Sequence, residues 1–242
     1  MKAPDILYED AHIIVCLKPA GIPSQSGRSR TPDMVSQLQT ALLRRERTRY
    51  NPRTRSQPPY IAVVHRLDQP VGGIMVYAKS RKAAAGLSEQ LRSHQFSKHY
   101  KAIISCRFPE TSAPSGTLTD YLTTDSLTNL SKIVPEDTSE AKQAVLTYQL
   151  EQVHPELPLS LLDIQLMTGR HHQIRAQMAH HFAPLLGDVK YGFCDNGLEF
   201  PLRPGEIGLF ACHLAFTHPV SGKEMCFEHL PKDWMNGCFP SA

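Results

Sequence analysis

The polar run His65-Arg66-Leu67-Asp68 lies between two apolar segments, Ile61 to Val64 and Ile74 to Ala78 beyond Gly72-Gly73. A strand feeding the run and another leaving it would hold Asp68 near a sheet edge, where a carboxylate in apolar surroundings needs a cationic partner. An isolated Arg-x-Asp more often means an aspartate capping a turn while the arginine faces water. The balance shifts only with the company the run keeps.

A second polar group is Thr168-Gly169-Arg170-His171-His172-Gln173-Ile174-Arg175, with Arg170 and Arg175 about one turn apart near a predicted helix start. It can offer guanidinium forks and backbone amides to an anion, although seen alone it is an ordinary polar helix beginning. Lys98-His99-Tyr100-Lys101-Ala102 flanks an aromatic ring with cations, a pattern suited to stacking a base and equally common at strand starts. His171, His172, His180 and His181 suggest a metal, but His172 and His180 are two helical turns, about 12 Å, apart, so the pairs do not close one site. No Gly-rich phosphate loop and no Gly-x-Ser-x-Gly elbow is present in the sequence, which disfavours nucleotide hydrolysis and esterase chemistry.

The elements needed to position these groups fit an ordinary globular chain. Its 242 residues are 41% hydrophobic and 20% charged, with a net charge of +3, which excludes disordered and fibrous classes and names no partner by itself. Between residues 28 and 55, eight arginines stand against Asp33 and Glu46, a local excess of +6 that reads as a solvated face or a phosphate-contacting surface. No apolar stretch approaches membrane-spanning length and Met1 to Asp10 lacks a signal pattern, so a cytoplasmic protein without a membrane partner is expected. Six scattered cysteines without a Cys-x-x-Cys pair read as reduced thiols, mostly in the core.

Ile6 to Leu17 reads as strand then turn, Pro32 to about Arg49 as an amphipathic helix, and Asn51 to Pro59 as a loop. Short strands are expected at Ile61 to Val64 and Ile74 to Ala78, then a helix capped by Ser80 and running to about His94. Further strands follow at Tyr100 to Ser105, Ala144 to Leu150, Leu161 to Leu166 and Leu209 to Phe216, with a helix carrying Ile174 and Met178 between the last two. Strands and helices do not alternate regularly, which favours α+β over a doubly wound parallel sheet. Residues 1–242 read as a single domain, since no linker is clean enough to divide them.

Taken in order, these segments resemble the RluA family of RNA pseudouridine synthases over nearly the whole chain. Ile6-Leu7-Tyr8-Glu9-Asp10 through Lys18-Pro19-Ala20-Gly21 is similar to the family's opening segment, and His65-Arg66-Leu67-Asp68 with Gly73 and Ala78-Lys79-Ser80 to its catalytic motif. Lys98-x-Tyr100-x-Ala102 follows. Then come Thr168-Gly169-Arg170 with His172-Gln173-Ile174-Arg175, Leu186-Gly187-Asp188 with Lys190-Tyr191-Gly192, and Leu209 through Phe216-Thr217-His218-Pro219. The departures are Gln69-Pro70-Val71-Gly72 for the usual polar stretch, His171 for a typical Thr, Ala176-Gln177 for a common Val-His, and Phe210 for a frequent His. The small S-four RNA-binding module of many relatives is expected to be absent, the opening motif already beginning at Ile6.

The resemblance implies a mixed, largely antiparallel sheet with flanking helices and a central RNA-binding cleft. It implies an isomerase that modifies ribosomal or transfer RNA, needs no cofactor and no metal, and is expected to act as a monomer. Asp68 is then the essential carboxylate, either nucleophile at the anomeric carbon or base at the ribose 2′ position. Arg66 fills the space of a flipped uridine, Tyr100 stacks on the base, and Arg175 pairs with Asp68. The arginine-rich 28 to 55 segment becomes an RNA backbone contact. Rival readings are an inactive RNA-binding protein that keeps the fold and, less favoured for want of a second paired carboxylate, a glycosidase.

Overall fold

The computed structural model describes residues 4–25, 32–49, 57–194, 202–231, 234 and 239. They group into two compact units, the first comprising residues up to Phe96 together with His213–His229, the second Ser97–Cys212 with residues from Leu230 onward.

In the first unit the chain opens as β1 (Asp5–Glu9) and β2 (Ile13–Lys18), followed by helix α1 (Met34–Arg49), a short β3 (Ala62–Val63), β4 (Gly72–Ala78) and helix α2 (Arg81–Arg92). β2 and β4 pair along their whole length, Ile13 opposite Ala78 through Lys18 opposite Gly73, and every residue of β4 is buried. That is why both read as unbroken apolar runs rather than alternating ones. The first unit also contains the C-terminal half of β10 (Leu209–Thr217) and the edge strand β11 (Glu224–Glu228), so its strand order is β1-β2-β4-β10 with β11 beside β10 and β3 beside β4.

Ser80 caps α2 as its sequence predicts, its side chain accepting from Ala83 N at 3.2 Å. The buried face of α2, Ala83 and Leu87, packs into a core with Ile13, Val15, Ile74, Val76, Leu214 and Phe216. Gln90 on the same helix exchanges two hydrogen bonds with the backbone of Thr217, 2.8 and 2.9 Å. This close seating requires Gly86, since a Cβ there would lie 2.9 Å from Pro219 Cβ.

The second unit contains β5 (Ser97–Ile104), β6 (Ser115–Asp125), β7 (Leu130–Val134), β8 (Lys142–Val153), β9 (Ser160–Leu166), helix α3 (Gln173–His181) and a single 3-10 turn at Val189–Tyr191. Its strand order is β10-β5-β9-β8-β6-β7, and the β5–β9, β9–β8, β8–β6 and β6–β7 pairs are all antiparallel. The expected mixed, largely antiparallel α+β sheet with flanking helices is therefore present. Beyond expectation are β6, β7 and β11.

The thiols differ from the reading of the sequence. Cys16 and Cys212 are buried, but Cys106 is only half-buried and Cys194 and Cys226 are exposed, so among the described residues the cysteines are not mostly core; Cys238 lies outside them. Of the arginine-rich segment, Arg44 and Arg45 are exposed on α1, and Arg45 reaches Glu9 of β1 at 2.6 Å. Arg28, Arg30, Arg53 and Arg55 lie outside the described residues, as do the side chains of Arg47 and Arg49. Among the described residues no helix is long and apolar enough to cross a membrane.

Candidate active site

In the first unit, Asp68 occupies the loop between β3 and β4, half-buried, with Arg66 exposed and Leu67 buried beside it. The loop closes on itself where Val71 N donates to Asp68 O at 3.0 Å. Four further ties hold it to the segment that follows β2. Ser24 Oγ donates to Leu67 O at 2.8 Å and accepts from Leu67 N at 3.1 Å. Gly21 N donates to Gln69 O at 2.8 Å, and Gln69 Nε2 donates back to Gly21 O at 3.0 Å. Gln69, the first departure after Asp68, is thus one of the loop's ties.

Beneath this arrangement lies Lys18, 1% exposed, whose ammonium donates to Pro19 O, Ile22 O and Gln69 O at 3.1, 2.6 and 3.1 Å. Burial pulls its pKa down to about 7, and the negative charge of Asp68 opposes that fall. Upstream, His65 Nε2 accepts from Val76 N at 3.1 Å, which fixes the entry to the loop on β4. Lys18 and Ser24 carried no assigned role in the sequence, because a lysine at a strand end and a lone serine look like any others. Only the fold shows that they clamp the backbone on both sides of Asp68.

Removing the Ser24 hydroxyl tests that clamp. Ser24→Ala leaves Leu67 N and Leu67 O without this partner in a buried place, at a cost of about 1–3 kcal/mol in stability. A loop displaced by about 1 Å costs turnover by up to about a hundredfold. Thermal unfolding and single-turnover rates check this; a variant that melts and turns over like the wild type would show that the clamp does not place Asp68.

In the second unit, Tyr100 is 7% exposed on β5, opposite Ile164 of β9. Lys98, two residues earlier on the same face, is desolvated, and burial lowers its pKa. A Cβ on Gly169 would stand 3.5 Å from its Nζ, so the Thr168-Gly169-Arg170 turn passes over this lysine.

Arg175, on the first turn of α3, is 3% exposed and grips Asp188 with a parallel fork, Nε to Oδ2 and NH2 to Oδ1, both 2.7 Å. NH1 of Arg175 lies 3.0 Å from His172 Nε2. A guanidinium only donates, so Nε2 accepts and the proton of His172 sits on Nδ1, which donates to Tyr191 Oη at 2.9 Å. Burial, the charge of Arg175 and then those of His171 and Lys190 push His172 down to about 3. The Tyr191 ring lies under the guanidinium, 5.0 Å from its carbon, and Tyr191 Oη also accepts from Ser131 N on β7. Ser131 Oγ donates to His171 O at 2.6 Å and meets His171 Nδ1 at 2.9 Å.

Several of the donors that the start of α3 could offer an anion are therefore engaged by protein. Gln173 Oε1 accepts from Arg170 N and from Thr168 Oγ1, Arg170 Nε donates to Gln143 O, and Arg175 is buried on Asp188. His181 turns to Asp120, 3.0 Å away. The remaining departures are absorbed by packing. His171 stitches β7 to the helix, Gln177 Nε2 donates to Asp120 at 2.7 Å, and the Phe210 ring sits 5.9 Å from that of Trp234 in an apolar cluster with Ile103 and Leu186. Of the four residues singled out from the sequence, Asp68 and Arg66 share one loop of the first unit, and Tyr100 and Arg175 belong to the second.

The sheet thus carries a moored aspartate after β3 in the first unit and an arginine fork on α3 in the second. The chain belongs to the RNA pseudouridylate synthase family, whose profile matches residues 12–180, in agreement with the RluA resemblance. It is 32% identical over 238 residues to the ribosomal large subunit pseudouridine synthase D of Zymomonas mobilis, covering 95% of this chain and 70% of that one. It is 28% identical over 239 residues to the tRNA pseudouridine synthase C of Pectobacterium carotovorum, covering 93% of this chain and only 58% of that protein. The fold is shared with human RNA pseudouridylate synthase domain containing 1, with a TM-score of 0.72 at 18% identity over 97% of this chain and 88% of the other.

Proposed function

We propose that this chain is an RNA pseudouridine synthase acting on ribosomal or transfer RNA, with Asp68 as its essential carboxylate. The observation that carries the reading is the mooring of the Asp68 loop by Lys18, Gly21 and Ser24, in a chain whose family is defined by this reaction. The uracil is detached from its ribose carbon and rejoined through carbon 5, so atoms and oxidation level are conserved within one nucleotide. Neither an external group nor a redox cofactor enters.

A paired uridine must leave its stack to meet a carboxylate held in a protein loop. Arg66, exposed two residues before Asp68, suits the side chain that fills the vacated place, and the Tyr100 ring suits stacking on the flipped base. Lys98, desolvated on the Tyr100 face, suits a nearby phosphate. Arg175, its guanidinium fixed by Asp188, is the cation that the resemblance pairs with Asp68 and that orients it. The exposed face of α1 supplies contacts to the RNA backbone.

Mapping pseudouridines in total cellular RNA with and without the gene tests the reading: at least one site is lost in the deletion and restored by the wild-type chain. An unchanged map would overturn it. The Tyr100 role separates into ring and hydroxyl. Tyr100→Phe retains substrate affinity, while Tyr100→Leu loses about 1–3 kcal/mol of binding, measured by filter binding to a substrate stem-loop. Normal binding with stalled turnover in Tyr100→Phe would assign the hydroxyl to proton transfer instead.

A further inference from the structure

The β10–β11 hairpin carries chemically potent side chains that none of these roles uses. In its antiparallel register His213 faces Glu228 and Ala215 faces Cys226. Because strand side chains alternate, His213, Cys226 and Glu228 share one face, while Leu214, Phe216, Met225 and Phe227 on the other face pack into the core. His213 Nδ1 stands 3.3 Å from Glu228 Oε1. With Cys226 Sγ added, the three ligand atoms lie within 4.8 Å of one another. An imidazole and a carboxylate at that distance form an ordinary surface pair. The thiol is not needed by such a pair, and it changes the donor set to nitrogen, sulfur and oxygen on a rigid, hydrogen-bonded ladder.

We propose that His213, Cys226 and Glu228 bind one zinc ion, with water as the fourth ligand. Hard cations such as Mg²⁺ select all-oxygen sites, whereas a mixed imidazole, thiolate and carboxylate set suits zinc. Donors bonded at about 2.0–2.3 Å to a tetrahedral zinc stand roughly 3.3–3.8 Å apart. The spacing of His213 and Glu228 already lies at the lower end of that range, and the exposed Cys226 closes the rest by side-chain rotation. On coordination the thiol proton passes to solvent and the sulfur binds as thiolate. The ion then ties the edge strand β11 to β10 and shields Cys226, and it takes no part in the isomerisation. The site is independent of the proposed RNA chemistry.

Cys194, also exposed, supplies an internal control. The full chain, stripped of metal, is alkylated with iodoacetamide with and without ZnCl₂, and the peptides containing Cys226 and Cys194 are quantified by mass spectrometry. At zinc about ten times its dissociation constant, alkylation of Cys226 slows by about tenfold while Cys194 is unaffected. His213→Gln and, at the more exposed position, Glu228→Gln each weaken the protection; the second variant serves if the first unfolds. MgCl₂ gives none. Equal Cys226 rates with and without zinc, or full protection in both variants, would overturn the site.

Discussion

Asp68→Asn abolishes pseudouridine formation while the protein folds and binds RNA nearly as before. The swap is isosteric, and the ties already named run through the backbone of Leu67, Asp68 and Gln69 and the side-chain amide of Gln69. All of them survive it. What disappears is the negative charge that either route requires, attack on the anomeric carbon or removal of the 2′ proton. The nearby Lys18 also loses the charge that favours its ammonium, and this cost is small because three carbonyl oxygens still receive that group. Turnover is measured on total RNA from a deletion strain, with melting and affinity as controls. Residual activity within about tenfold of wild type, about 1.4 kcal/mol of barrier, would remove Asp68 from the chemistry.

What the sequence made legible follows from how each segment is buried. The β2 and β4 runs, apolar on both faces, and α2, with a serine cap and apolar residues at helical spacing, announce themselves. β6 does not: in its Ser115–Asp125 stretch only Leu122 is buried, and its threonines and aspartates read as loop because water covers most of it. β11 likewise alternates glutamate and cysteine against Met225 and Phe227 over too few residues to register. The site was legible as motifs and opaque as geometry. The resemblance implied Asp68 as the partner of Arg175, and a fork with Asp188 thirteen residues later is invisible to spacing, because it depends on the 3-10 turn that brings Asp188 and Tyr191 back to the helix.

That fork sets the second large effect. Arg175→Met leaves Asp188, 1% exposed, as a buried charge without its partner, a loss of about 3–5 kcal/mol. For a chain of this length the melting temperature falls by roughly 6–20 °C. It also frees His172 Nε2 and removes the cation over the Tyr191 ring, so the link from α3 to β7 through Ser131 loosens at the same time. Arg175→Lys recovers little, since an ammonium cannot span both carboxylate oxygens. The informative variant is the double substitution Arg175→Met with Asp188→Leu. Replacing a buried ion pair by apolar groups of similar volume restores most of the stability. If Arg175 serves only the fold, turnover returns with it; if it also orients Asp68, as proposed, the double variant melts near wild type and remains inactive. Differential scanning fluorimetry with single-turnover rates on one stem-loop separates the two, and recovered turnover would confine Arg175 to a structural role.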